Sequence, residues 1–179
     1  PRAGERGVPP DTPLRLALAP GAELTGEGSI RLLRKRDGLL VAVIRPGETV
    51  TAIGPAPRRR LVRQHDLRIV DGELRARLPQ ALEYDTEYEA LAEARLVRGA
   101  PFNGARWRFR TTPHRPAGDS VTVATEGRAN FRTVQGALDY AMSLPRAKAL
   151  TVNVRDGVYP ELLYLRDKDN LTLRGASRE

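Results

Sequence analysis

The chain has 179 residues, 40% hydrophobic and only 5% aromatic, with 30 lysines and arginines against 22 acids and a formal net charge of +8. It holds no cysteine, which excludes a disulfide framework, a thiolate metal site and a thiol nucleophile, and no apolar run approaches the ~20 residues of a membrane span. The pI near 10.5 favours polyanions such as nucleic acid or an acidic polysaccharide, although the arginines are interleaved with acids as on an ordinary solvated surface.

Residues 1–112 alternate apolar and polar positions between frequent turns. Leu14, Leu16 and Leu18 share one face, Ile30 and Leu32 another, and Leu39, Val41 and Val43 a third. Leu67 with Ile69, then Leu74, Ala76 and Leu78, then Tyr88, Ala90 and Ala92, then Trp107 and Phe109 continue the pattern. About seven short strands with turn signals such as Asp37-Gly38 and Asp71-Gly72 predict an all-β, immunoglobulin-like β-sandwich. Leu82-Glu83-Tyr84-Asp85-Thr86-Glu87-Tyr88, just before a late strand, also fits a tyrosine corner, with a structural tyrosine expected. The opening Val8-Pro9-Pro10-Asp11-Thr12-Pro13-Leu14 and the closing Trp107-Arg108-Phe109-Arg110-Thr111-Thr112 resemble bacterial Ig-like domains of surface-layer and extracellular proteins. The resemblance implies a spacer or attachment module. Residues 113–119, Pro113-His114-Arg115-Pro116-Ala117-Gly118-Asp119, read as a linker.

From residue 120 the pattern changes. Val121 and Val123 alternate with threonines as in a strand, and a polar turn follows at Glu126, Gly127, Arg128 and Ala129. Val134, Ala137, Leu138, Ala141 and Met142 then form one helical stripe, with Asn130 or Thr133 as N-cap and Pro145 just past the end. Strand candidates follow at 150–154, 161–165 and 171–173. A hairpin meander and one coil of a parallel solenoid both fit that spacing.

Four blocks in this region carry a resemblance: Val121-Thr122-Val123-Ala124; Phe131-Arg132-Thr133-Val134-Gln135-Gly136-Ala137-Leu138; Val152-Asn153-Val154-Arg155-Asp156-Gly157-Val158-Tyr159-Pro160-Glu161; and Asn170-Leu171-Thr172-Leu173-Arg174-Gly175. In this order they resemble the N-terminal portion of the pectin methylesterases, with Glu126 where that family usually has Asp. The resemblance implies a right-handed parallel β-helix over 120–179, its end covered by the helix, in a secreted esterase that acts on pectin without a cofactor. It carries no catalytic residue onto this sequence, because the family's glutamine and aspartate motifs of types Q-A-V-A-L, Q-D-T-L, D-F-I-F-G and L-G-R-P-W do not occur here. The chain alone is therefore expected to be inactive. Gly157, Tyr159 and Glu161 are the family signature, with scaffold roles expected.

The chain opens at Pro1 without an initiator Met, as a processed or trimmed chain would; one coil cannot bury its own core, so a fragment or a truncated gene product is expected, with Leu162, Leu163, Leu165, Leu171 and Leu173 poorly buried. The expected partner is pectin or polygalacturonate, with no nucleic acid, no membrane and a monomeric chain. The alternative is a non-catalytic extracellular module whose arginines meet an acidic polysaccharide or a cell envelope. A pectate lyase or glycosidase on the same fold fits the Gly-x-Tyr-x-Glu wording less well.

Other candidate chemistry is sparse. Arg58, Arg59, Arg60 and Arg63 after the Gly54-Pro55-Ala56-Pro57 loop, and Arg34-Lys35-Arg36, are the densest cationic groups and suit planar anions, a solvated loop being the plainer alternative. No aromatics interleave with them, so a base-stacking surface is missing. His65 and His114 lack a second imidazole or a carboxylate cluster at ligand spacing, and Ser29, Ser120, Ser143 and Ser177 lack a Gly-x-Ser-x-Gly setting. Asp167 and Asp169 offer two carboxylates for Ca²⁺, fewer than a site needs.

Overall fold

Period-two alternation interrupted by glycine and proline turns produces a series of short strands. These are β1 (Arg6–Val8), β2 (Leu14–Ala17), β3 (Glu23–Leu24), β4 (Ile30–Arg34), β5 (Leu40–Ile44), β6 (Glu48–Ile53), β7 (Arg60–His65), β8 (Leu67–Val70), β9 (Glu73–Ala76), β10 (Glu87–Ala92), β11 (Val97–Arg98) and β12 (Ala105–Thr111). Then come β13 (Ser120–Val123), the helix α1 (Val134–Met142), β14 (Leu150–Val154) and β15 (Leu171–Gly175). The computed structural model describes residues 1–53 and 60–177, and only the backbone of 48–53, 60 and 62–65. Among the described residues the chain is mostly strand, in several sheets, with one α-helix. It divides into two compact units, Pro1–Thr51 with Arg63–His114, and Ala52–Val62 with Arg115–Glu179.

In the first unit one sheet has the order β1-β12-β10-β4-β5, antiparallel except that β1 runs parallel to β12. A second, antiparallel sheet has the order β2-β9-β8. Leu14, Leu67, Leu74 and Ala76 from the latter and Ile30, Leu32, Tyr88, Ala90, Trp107 and Phe109 from the former enter one hydrophobic cluster. Each large side chain there contributes ~1.5–3 kcal/mol by leaving water. Asp71 and Gly72, at φ 51° and 71°, make the two-residue turn that returns β8 into β9, as the Asp-Gly dipeptide predicts.

The buried face of β5 is set by its neighbour. Ala42 and Ile44 are the buried residues of β5, Val41 packs half-buried against the same cluster, and Leu39 is 51% exposed. The register explains it, because Ile30 and Leu32 point inward and their cross-strand partners are Ile44 and Ala42. Tyr88 is buried against Phe109, ring centroids 5.7 Å apart, and its hydroxyl accepts the Glu83 N–H at 3.0 Å.

In the second unit β13, β14 and β15 are parallel and in that order, with Ser120 opposite Thr151 and Leu150 opposite Leu171. The pairing is parallel throughout, so these strands do not form a hairpin meander. Thr133 caps α1, accepting the Gly136 N–H at 3.0 Å, while Asn130 uses its side-chain oxygen on the Thr122 N–H at 2.8 Å. The buried Val134, Ala137, Leu138, Tyr140 and Ala141 of the helix join Val121, Val123, Phe131, Leu150 and Val152 in a second cluster.

The strand expected at 161–165 does not form. That passage makes no ladder; the Glu161 N–H donates to the Tyr159 carbonyl at 2.8 Å, and the Tyr164 backbone meets a helix side chain, described below. Leu162, Leu163, Leu165 and Leu173 are exposed, and Leu171 packs half-buried at the edge of the second cluster.

Candidate functional site

The Gly157-Val158-Tyr159-Pro160-Glu161 stretch leaves β14 and turns back along α1. Gly157 sits at φ 155°, and a Cβ there would meet the Tyr159 ring at 3.3 Å and the Thr125 methyl at 3.4 Å, so glycine suits the position on both counts. Tyr159 packs against the second cluster and donates its hydroxyl to the Arg155 carbonyl at 2.9 Å; burial pushes the phenol above its ordinary pKa. Glu161 places its two oxygens on the Val134 and Gln135 N–H groups, 2.9 Å each. These are among the donors a helix start leaves unsatisfied, and the carboxylate also complements the positive end of the helix dipole.

Gln135 completes the tie. Its side-chain oxygen accepts the Tyr164 N–H at 2.7 Å while its Nε2 donates to the Tyr164 carbonyl at 3.1 Å and to Asp139 at 2.8 Å. One amide thus bonds both polar groups of a backbone residue, as a neighbouring strand would. The side-chain polar atoms of Tyr159 and Glu161 are thus bonded to backbone groups. The helical stripe had pointed to apolar residues only, and Gln135, 3% exposed, was missed because its burial depends on a partner 29 residues away.

The remaining sequence candidates are dispersed. Arg58 and Arg59 lie outside the described residues, and of Arg60, Arg63 and His65 only the backbone, in β7, is described. Arg34 pairs with Asp37 at 2.7 Å and with Glu83, and Arg36 reaches Glu83 at 3.1 Å. The Arg34 guanidinium holds the Asp37 carboxyl at about 2. His114 is exposed. Ser29 donates to Glu93, Ser143 to the Tyr140 carbonyl, Ser177 to Asp156, and Ser120 accepts from Asn153. Asp169 pairs with Arg146 at 3.0 Å and Asp167 with Arg166 at 3.3 Å. Among the described residues no three His, Cys, Asp or Glu side chains gather as a metal site would require.

A cluster that the sequence reading did not single out lies on the outward face of the five-stranded sheet. In β12 Trp107, Phe109 and Thr111 point inward, so Arg106, Arg108 and Arg110 point out. Glu89, the cross-strand partner of Arg108, accepts from Arg108 Nε at 2.8 Å through one oxygen and from Arg106 Nη2 at 2.7 Å through the other. The Lys35 ammonium stands 3.9 Å away. These bonds, Arg106 first, hold the Glu89 carboxyl at about 2, and its side chain is only 6% exposed. Gly4, Glu89, Arg106, Trp107 and Arg108 line an open recess of about 470 Å³ there. The alternation Arg106-Trp107-Arg108-Phe109-Arg110 was visible in the sequence; the pairing of β12 with β10 that places Glu89 between two guanidiniums was not.

Comparison of the chain with family models, curated proteins and solved structures returned no match.

Proposed function

We propose that this chain is the N-terminal part of a secreted pectin methylesterase-like carbohydrate esterase, which hydrolyses the methyl esters of polygalacturonate with reacting aspartates carried outside these 179 residues. The observation that carries the reading is the parallel ladder of β13, β14 and β15, with α1 packed on it and Glu161 of the Gly-x-Tyr-x-Glu signature seated on the helix start. In this reading residues 120–179 are the cap and first coil of a right-handed parallel β-helix. Residues 1–112 are an Ig-like sandwich and 113–119 a linker. The order β1-β12-β10-β4-β5 beside β2-β9-β8 supports the sandwich, since it fits strands A′-G-F-C-C′ and B-E-D of that architecture. So does Tyr88 near the start of β10, its hydroxyl bonded five residues upstream.

The test uses the natural gene product that contains this chain. Methanol release from methylated pectin above a buffer blank is expected for that product and not for residues 1–179 alone. No release from the product, with an intact mass that leaves no room for the aspartate motifs, overturns the esterase reading. It then favours the second reading, a non-catalytic extracellular module for an acidic polysaccharide or cell envelope, for which the outward arginine row of β12 is the specific support.

A further inference from the structure

On the outward face of the five-stranded sheet, Arg106, Arg108 and Arg110 stand along β12, Arg31 lies on β4, and Lys35 follows the end of β4. Leu91 of β10 is the Cα partner of both Arg31 and Arg106, so the rows are aligned across the sheet. The cations outnumber the carboxylates Asp85, Glu87 and Glu89 on these strands and their entries. Side chains on one face recur every second residue, so the Cα atoms of the three β12 arginines are spaced ~6.8 Å apart. Arg106 and Arg108 are 64% and 54% exposed although both are bonded to Glu89. Each of those bonds uses one of five N–H donors and leaves the rest of the fork toward solvent.

We propose that this face binds an acidic polysaccharide, a sugar carboxylate bridging Arg106 and Arg108 while Lys35, Arg31 and Arg110 attract its neighbours. The inference deepens the acidic-polysaccharide reading given above and rests on it. Glu89 is the positioning group: a buried carboxylate that splints two guanidiniums lowers the side-chain entropy a ligand must otherwise fix. Guanidinium forks match planar carboxylates in a bidentate way. The aromatics of β10 and β12 are turned inward, Tyr88 1%, Trp107 5% and Phe109 2% exposed, so these strands offer neither a stacking platform for bases nor an aromatic anchor for a protein. The interleaved carboxylates oppose a dense phosphate backbone more than a chain with one charge per sugar.

The full chain is titrated calorimetrically at low salt with de-esterified polygalacturonate, fully methylated pectin and duplex DNA. Polygalacturonate is expected to bind, methylated pectin not to, and R106Q/R108Q to lower affinity by at least ~tenfold. Because R106Q/R108Q leaves Glu89 without its arginines, E89Q/R106Q/R108Q is measured too; the same loss is expected with thermal unfolding close to that of the parent. R106K/R108K keeps the charge without the fork and is expected to fall in between. If polygalacturonate binds with unchanged affinity in all three variants, or binding is lost instead in R58Q/R59Q/R60Q, the proposed face is overturned while the polysaccharide reading stands. If only DNA binds, or nothing does, both are overturned.

Discussion

Replacing Glu161 with alanine tests whether the signature acts as scaffold. The variant removes two charge-assisted bonds, to the Val134 and Gln135 N–H groups at 2.9 Å. Bonds to a charged acceptor contribute ~1.5–3 kcal/mol each when sheltered. Glu161 is half-exposed, so water replaces much of that, and the loss falls to the scale of a helix cap, ~1–1.5 kcal/mol, plus ~0.5 kcal/mol for the dipole. The sum, about 2 kcal/mol, corresponds to about thirtyfold faster exchange where local opening governs it. The assay is residue-resolved amide hydrogen exchange at Val134 and Gln135. Glu161→Gln keeps an acceptor but not the charge and is expected to accelerate exchange about fivefold, a loss of ~1 kcal/mol. Unchanged rates in the alanine variant refute the capping argument; equal damage from glutamine refutes the electrostatic part of it.

Gly157→Ala combines a left-handed φ with a 3.3 Å approach to the Tyr159 ring, and a loss of ~1–3 kcal/mol is expected in the unfolding transition reported by tyrosine near-UV dichroism. A neutral result removes the steric account of this glycine. For Glu89, the folded carboxyl sits at about 2 against an ordinary 4.5, so the folded form holds fewer protons than the unfolded one. Its stabilising contribution is complete above 4.5 and lost as pH falls toward 2. Acid unfolding followed by the single tryptophan, Trp107, should therefore show E89Q less stable at neutral pH, with the gap closing through that window. A gap that stays constant into acid contradicts the ion-pair origin.

What the sequence made legible was local. The helical stripe and the Asp71-Gly72 turn depend on residues a few positions apart and are found as expected, and of the two caps offered, Asn130 and Thr133, the structure uses Thr133. What it hid was set by pairing. The inward parity of β5 follows from its register against β4, and Glu89 becomes buried only because β12 lies beside β10. The passage 161–165 has strand-like composition, yet the Tyr164 backbone groups are met by a glutamine side chain from the helix, a partner that no periodicity reveals. The Gly-x-Tyr-x-Glu stretch was found by its wording, and the roles of its residues became evident only with Glu161 seated on the helix start.

The amide of Gln135 and the carboxylate of Glu161 have a consequence for proteolysis. The leucine-rich passage 161–165 draws its ordering from the first turn of α1, so the two segments open together. A protease that needs an extended substrate finds one at Leu162 and Leu163 whenever that turn frays. Nicking there reports the lifetime of the helix start, and a ligand that steadies α1 protects a peptide bond it never touches.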